Sequence, residues 1–401
     1  MSRDPSSTPP AGRAPLRTAD RIAGFRETVF ATYSRLARQH DAIDLGQGFP
    51  GFDPPGFVLE ALAASARGGQ QYAPLGGLPA LTEEVALDVG GRLGLELDPA
   101  AHVLVTVGAT EGLFAAIQAL VSPGDEVLLI EPFYDAYPAD VVMAGGVPRY
   151  LPLDLEGGRW HLDPERLHRA VGPRTRAIVV NTPHNPTGKV FSEAELDALV
   201  AEAARVDAVL ISDEVYQRIA FTEHVPLASR PGAWERTLTV ASLGKTFSVT
   251  GWKVGWVTGP AELVHAVTMA HQWIPFDVAT PLQRAGAAML KHARESDYYA
   301  ELRDGFLHRR DALLAALEPT PLEGMVPDGG YFVVADTRAL GYSDDVALCR
   351  DLPSRAGVGA IPPSAFYADE HKHLARHLVR LAYCKDEDEI RRAGERLARL
   401  G

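Results

Sequence analysis

Lys245 is the residue in this chain around which chemistry can be built. It stands in Ser242–Gly255, SLGKTFSVTGWKVG, after a β-rich run (Thr237–Val240) and before a second run that ends at Gly259. An ammonium held between two apolar strands loses solvation, which favours the neutral, nucleophilic amine. Such an amine suits Schiff-base chemistry with a carbonyl cofactor. A lone lysine in a polar loop is more often a solvated surface group, so Lys245 has to be weighed with its company. The Ser242-x-x-Lys245 spacing also occurs in acyl-serine enzymes, which need S-D-N and K-T-G partners. Ser212-Asp213-Glu214 and Lys245-Thr246-Phe247 fit neither pattern.

Four further signals accompany the lysine. Asp213 closes the apolar run Val209–Ser212 and falls at a strand end. A carboxylate there needs a cationic or N–H partner, which a protonated pyridine nitrogen would supply, although strand-end aspartates more often cap helices. Asn185 sits in NTPHNPTG, a loop stiffened by two prolines, where its amide can meet a phenolic oxygen. Phe133 offers a flat face for an aromatic ring. Lys253, Ser242 and Thr110 can together hold a phosphate, Thr110 at a strand-to-helix turn with free N–H groups. Each signal is modest alone. Together they describe pyridoxal 5'-phosphate: a ring, a ring nitrogen, an aldehyde and a phosphate.

The elements that must position these residues alternate along the chain. Strands are expected at 103–107, 126–130, 148–152, 177–181, 208–212 and 238–241, with helices at 111–121, 135–144 and 192–205 between them. That order argues for a mainly parallel α/β sheet, whose ligands bind beyond the carboxyl ends of strands. Gly108, Phe133, Asn185, Asp213 and Ser242 all fall at or just past such ends. Further helices are expected at 19–40, 56–67, 263–269 and over the long region 281–317. A hairpin-like run (329–336), a helix (344–352), a strand (377–383) carrying Arg380 and a closing helix (387–400) complete the chain.

The composition excludes other classes. The 401 residues carry 46% apolar and 23% charged side chains, as soluble globular proteins do. A formal charge of -13 argues against a nucleic-acid or anionic-membrane surface. Two cysteines, Cys349 and Cys384, supply neither a disulfide framework nor a thiolate metal site and suit a reducing, cytoplasmic setting. No apolar run approaches a membrane span. The first eighteen residues, rich in Pro, Ser and Arg, lack the apolar region of a signal peptide and read as a flexible arm.

The succession NTPHNPTG, SDEVY and SLGKTFSVTGWKVGW resembles the fold-type I pyridoxal-phosphate aminotransferases of class I/II. The resemblance runs from about Thr28 to the C-terminus. IDLGQGFPGF, QQYAPLGG, TVGATEG, EPFYDAY and HLVRLAYCK most resemble the kynurenine–glutamine and methionine aminotransferase branch, and bacterial N-succinyldiaminopimelate aminotransferases. It implies that Lys245 forms the Schiff-base link to the cofactor, that Asp213 pairs with the ring nitrogen, and that Asn185 and Tyr216 contact the phenolic oxygen. Phe133 would stack on the ring. Ala109, Thr110, Ser242 and Lys253 would hold the phosphate, with Tyr72 reaching it from a partner subunit of a homodimer. Arg380 would grip the substrate α-carboxylate, and Gly48 would let the backbone approach it. Many relatives have Arg where Lys253 stands, and lysine gives a point charge in place of a fork.

The family architecture implies a large cofactor-binding domain (46–317) and a smaller α+β domain built from both chain ends (19–45 and 318–401). Phe30, Tyr72, Phe133, Phe276 and Tyr331 would line the substrate pocket. That lining is aromatic and has no evident second arginine, so neutral amino acids are expected: aromatic, sulfur-containing or glutamine-like. Asp277, beside Phe276, would attract a polar or cationic side chain unless it only caps a helix. Two half-reactions on one cofactor predict ping-pong kinetics with a 2-oxo acid acceptor. The alternatives are N-succinyldiaminopimelate as substrate, and β-elimination of cysteine S-conjugates on the same cofactor. A non-catalytic regulator is disfavoured because the first eighteen residues are too short for a DNA-binding module.

Overall fold

The computed structural model describes residues 18–401. The N-terminal arm expected over residues 1–18 lies, apart from Thr18, outside them. Strands β1 (Ile43–Asp44), β2 (Val103–Thr106), β3 (Glu126–Glu131), β4 (Val147–Pro152), β5 (Asp154–Glu156), β6 (Arg159–His161), β7 (Thr175–Asn181), β8 (Val209–Asp213), β9 (Thr237–Ser242), β10 (Gly255–Thr258), β11 (Glu323–Gly324), β12 (Phe332–Asp336), β13 (Val358–Gly359) and β14 (Leu378–Ala382) form four sheets.

The largest sheet has seven strands in the order β2-β10-β9-β8-β7-β3-β4. Only β10 runs against its neighbours β2 and β9; the other pairs are parallel. Every residue of β2, β3, β8, β9 and β10 is buried, as expected of a sheet covered by helices on both faces. The parallel register brings the last residues of four strands to one edge: Glu131, Asn181, Asp213 and Ser242. Asn181 pairs with Asp213, and Gly255 pairs with both Ser242 and Thr106. A row of polar residues thus ends a set of apolar strands at the edge where α/β sheets take ligands.

The second site-bearing sheet is antiparallel, β11-β12-β14. Arg380 lies at the middle of β14, opposite Val334 on β12 and bridged to Ile361. Around it, Tyr33, Ile43 and Leu45 share one apolar cluster with residues such as Phe306, Leu348, Phe366 and Leu397. β1 also pairs with β13, so the described start of the chain is joined to its end.

Several elements differ from expectation. The helix expected over 19–40 forms only at Val29–Gln39, with a short turn at Asp20–Ile22. Thr28 caps it, accepting the Ala31 N–H at 3.3 Å, and Ile22 and Phe25 stay exposed, so the apolar period before Thr28 finds no core. The helix after β2 begins at Gly108, three residues before Glu111. The region 281–317 divides into helices Thr280–Arg294 and Tyr298–Leu317. Within the run 329–336 the strand is Phe332–Asp336, paired antiparallel with the nearby β11 on one side and with the distant β14 on the other. The β5–β6 hairpin, turned by Gly157 and Gly158 at positive φ, was not expected.

Candidate active site

A cavity of about 250 Å³ opens where the strand ends meet the Arg380 sheet. Lys245 reaches it from the short helix Leu243–Thr246, which follows β9 directly. Its Nζ donates to the Gly48 carbonyl at 3.0 Å and lies 5.5 and 5.4 Å from the ring centres of Tyr216 and Tyr331. Burial pushes the amine down to about 8, with Arg380 adding to the effect and Cys384 and Asp213 opposing it. The Tyr331 hydroxyl donates to the Lys245 carbonyl at 2.7 Å, which fixes the backbone carrying the amine.

Asp213 faces the same cavity from the end of β8. Its Oδ2 accepts the Tyr137 hydroxyl at 2.7 Å, and its Oδ1 accepts the Val215 N–H at 3.3 Å. Burial pushes the carboxyl up to about 6; the Tyr137 bond counters this only in part. No ion pair neutralises it among the described residues. Asn181 braces it, donating to the Asp213 carbonyl at 2.9 Å while accepting the Asn185 N–H at 2.7 Å.

Arg380 is wholly buried. Its Nη1 donates to Asn185 Oδ1 at 3.1 Å, and Nη2 donates to the Gly46 carbonyl. Aromatic rings surround the guanidinium: Phe332 at 4.0 Å, Phe30 at 5.1 Å and Phe366 at 5.3 Å. Burial lowers it to about 10, still charged at neutral pH. Its Nε has no partner. Gly48 is needed for this packing, because a Cβ there would meet Phe332 Cζ at 2.5 Å.

At the far end, helix Gly108–Leu120 turns its N-terminus to the cavity, with Gly108, Ala109 and Thr110 on the wall. Lys253 donates to the Thr110 hydroxyl at 3.3 Å, and Ser242 completes the group. Gly108 has φ +69°, and a Cβ on Gly255 would meet the Ala109 nitrogen at 2.8 Å. Helix N–H groups, a lysine and two close-packed glycines make a cradle that fits a phosphate.

The structure therefore brings Lys245, Asp213, Asn185, Tyr216, Ala109, Thr110, Ser242, Lys253, Gly48, Phe30 and Arg380 to one cavity. Four expected residues, Tyr72 among them as the one expected to serve a partner subunit, do not line this chain's own cavity. Phe133 points into the core and packs on Tyr150 at 5.5 Å; the neighbouring Tyr134 takes the cavity wall. Tyr331 lies behind Lys245, stacked on Phe306 at 4.7 Å, while Phe332 lines the cavity. Tyr72 and Phe276 meet edge to face at 5.2 Å, away from the cavity and well exposed. Asp277 is held by the backbone: its Oδ2 accepts the Ala73 N–H at 2.9 Å and its Oδ1 accepts the Val278 N–H at 2.7 Å.

Tyr134, Tyr137, Asn181, Gln47 and Phe332 are cavity residues that the sequence reading missed. Asn181 carried a usable signal, since it ends an apolar strand as Asp213 does. The choice between adjacent aromatics, Phe133 or Tyr134 and Tyr331 or Phe332, carried none.

Residues 40–397 match the family of class I and II aminotransferases. The chain belongs to that family. This aminotransferase is 44% identical over 394 residues to a probable N-succinyldiaminopimelate aminotransferase of Mycobacterium tuberculosis, covering 96% of this chain and 98% of that one. It is 37% identical to the kynurenine–oxoglutarate transaminase of Dictyostelium discoideum, over 96% of this chain and 97% of that one. The crystal structure of YbdL from Escherichia coli, for which a methionine aminotransferase function was identified, superposes with a TM-score of 0.91 at 38% identity, covering 96% of this chain and all of that one. The aminotransferase has the fold-type I architecture of its structural neighbours. Among the described residues no helix is long and apolar enough to cross a membrane.

Proposed function

We propose that this aminotransferase carries pyridoxal 5'-phosphate on Lys245 and moves the amino group of a neutral L-amino acid to a 2-oxo acid. The observation that supports this most directly is one cavity that holds a buried amine lowered to about 8, a carboxylate lacking its cation and a buried guanidinium. Bound there, the cofactor supplies an electron sink for cleavage of the substrate Cα–H bond. The chain does the rest. Asp213 holds a proton at the ring nitrogen, with Tyr137 keeping its carboxylate oriented. Once the substrate amine had released it from the cofactor, Lys245 Nζ would take the Cα proton and return it, as general base and then acid. Ala109, Thr110, Ser242 and Lys253 hold the phosphate. Asn185 and Tyr216 meet the phenolic oxygen, and Tyr134 replaces Phe133 as the stacking residue.

Arg380 grips the α-carboxylate, and Phe30, Tyr134 and Phe332 exclude water around the side chain. Among the described cavity residues Arg380 is the sole guanidinium, which favours neutral side chains over a second carboxylate. The exposed Tyr72 and Phe276, near the 84%-exposed Trp273, suit a homodimer in which Tyr72 reaches the partner's phosphate site. A second reading, an N-succinyldiaminopimelate substrate, is favoured by the 44% identical relative.

The deciding experiment is a titration of the purified holoenzyme with single amino acids and no oxo acid, read by the cofactor's visible absorption. A shift with Gln, Met, Phe, Trp or kynurenine supports the neutral-substrate reading and ranks the donors. A shift with N-succinyldiaminopimelate alone supports the second reading. Absence of any cofactor band after incubation with pyridoxal phosphate sinks the assignment of Lys245.

A further inference from the structure

Glu131 ends β3 at the same sheet edge as Asp213 and Ser242, yet it does not line the cavity. Its carboxylate is fully buried and both oxygens are engaged. Oε1 accepts the Ala368 N–H, and Oε2 is hydrogen-bonded to His371 Nδ1. Two residues further on, the Phe133 N–H donates to the Phe366 carbonyl at 2.8 Å. Three bonds therefore tie the end of β3 to the segment 366–371. Burial raises the Glu131 carboxyl to about 7, and the Ala368 and His371 bonds oppose that rise. A buried acid of this kind is costly unless it does specific work.

The work is visible at the start of the tied segment. Phe366 is 1% exposed and its ring lies against Arg380, at 5.3 Å, and against Phe30, at 5.9 Å. Phe30 in turn stands 6.4 Å from Tyr134, three residues after Glu131. The circuit from Glu131 through Ala368 and Phe366 to Arg380 and Phe30, and back through Tyr134, is closed. We propose that Glu131 and His371 are positioning residues for substrate: they fix Phe366, and through it the aromatic bed of Arg380, relative to Tyr134. This rests on Arg380 as the carboxylate site.

The test measures binding of 3-phenylpropionate, a carboxylate without an amino group, to the holoenzyme by calorimetry. His371→Ala is expected to weaken binding about threefold and Glu131→Ala about tenfold, one and two hydrogen bonds respectively. Glu131→Gln restores affinity to within about twofold, since its Oε1 still accepts from Ala368 and its amide donates to His371 Nδ1. In the two alanine variants KM for the amino donor rises while kcat and the cofactor absorption hold, which general loosening of the fold would not give. His371 is partly exposed, so its variant decides the matter even where Glu131→Ala does not fold. Unchanged affinity in His371→Ala, or no rescue by Glu131→Gln, overturns the proposal. If Arg380→Ala also binds the probe normally, the reading of Arg380 has failed instead.

Discussion

Arg380 and Asn185 are joined side chain to side chain, Nη1 to Oδ1 at 3.1 Å, although 195 residues separate them. The bond commits the Asn185 oxygen to the guanidinium and leaves its Nδ2 hydrogens for a ligand oxygen. One amide thus links the proposed carboxylate grip to the proposed cofactor ring site. Arg380→Lys loses the fork geometry and this link, and KM for the amino donor is expected to rise about 10- to 100-fold. Asn185→Ala is expected to raise KM and weaken cofactor binding together. Steady-state kinetics and cofactor titration separate the two effects; an Asn185 variant that altered only one would break the linkage.

The lowered amine makes a pH prediction. With Lys245 near 8, the neutral nucleophile increases as pH rises through that value, about 2.5 units earlier than for an ordinary lysine at 10.5. Capture of pyridoxal phosphate by the cofactor-free protein should accelerate with pH and level off above about 9. A midpoint near 10.5 would mean that the amine is solvated. Lys245→Ala should lower kcat by at least about 10³-fold, measured in single turnover.

Asp213 predicts a trade between stability and activity. Its carboxyl rises from 3.8 to about 6 in the folded chain because it is buried. Below about pH 4 it is protonated folded and unfolded, and the burial cost is absent. Between about pH 4 and 6 the unfolded chain ionises it while the folded chain keeps it protonated, so stability falls by about 3 kcal/mol and levels off above 6. Asp213→Asn should therefore raise the melting temperature of the cofactor-free protein at pH 8 and leave it nearly unchanged at pH 4. The same variant should lose most transamination. A lower melting temperature at pH 8 would show that Asp213 has a stabilising partner in the folded chain.

The neighbouring aromatics can be told apart by function. Phe133→Ala removes a buried ring packed on Tyr150 and should cost about 3–5 kcal/mol of stability. Its cofactor affinity should change little at temperatures where it is folded. Tyr134→Ala should do the reverse: nearly normal melting, with weaker cofactor binding. Denaturant melts and cofactor titrations of the two variants would settle which ring stacks.

The sequence by itself marked the residues on which the proposed chemistry rests, and most of the frame. Lys245, Asp213 and Asn185 were legible because each breaks an apolar or rigid context with one polar group at a strand end, which is costly without a purpose. The parallel sheet was legible because its buried strands are near-continuous apolar runs separated by helical periods. Tertiary structure alone decided which of two adjacent residues faces the cavity, since Phe133 and Tyr134 have equal local claims and it is the apolar cluster beside Tyr150 that takes Phe133 inward. It also tied Asp277 to the Ala73 N–H, and made Tyr331 a brace for Lys245. The Glu131 contacts to Ala368 and His371 span more than 230 residues, and no local pattern encodes them. Strand-end chemistry is written in neighbouring residues; side-chain direction and long-range partners are set by packing, which exists only when the chain is folded.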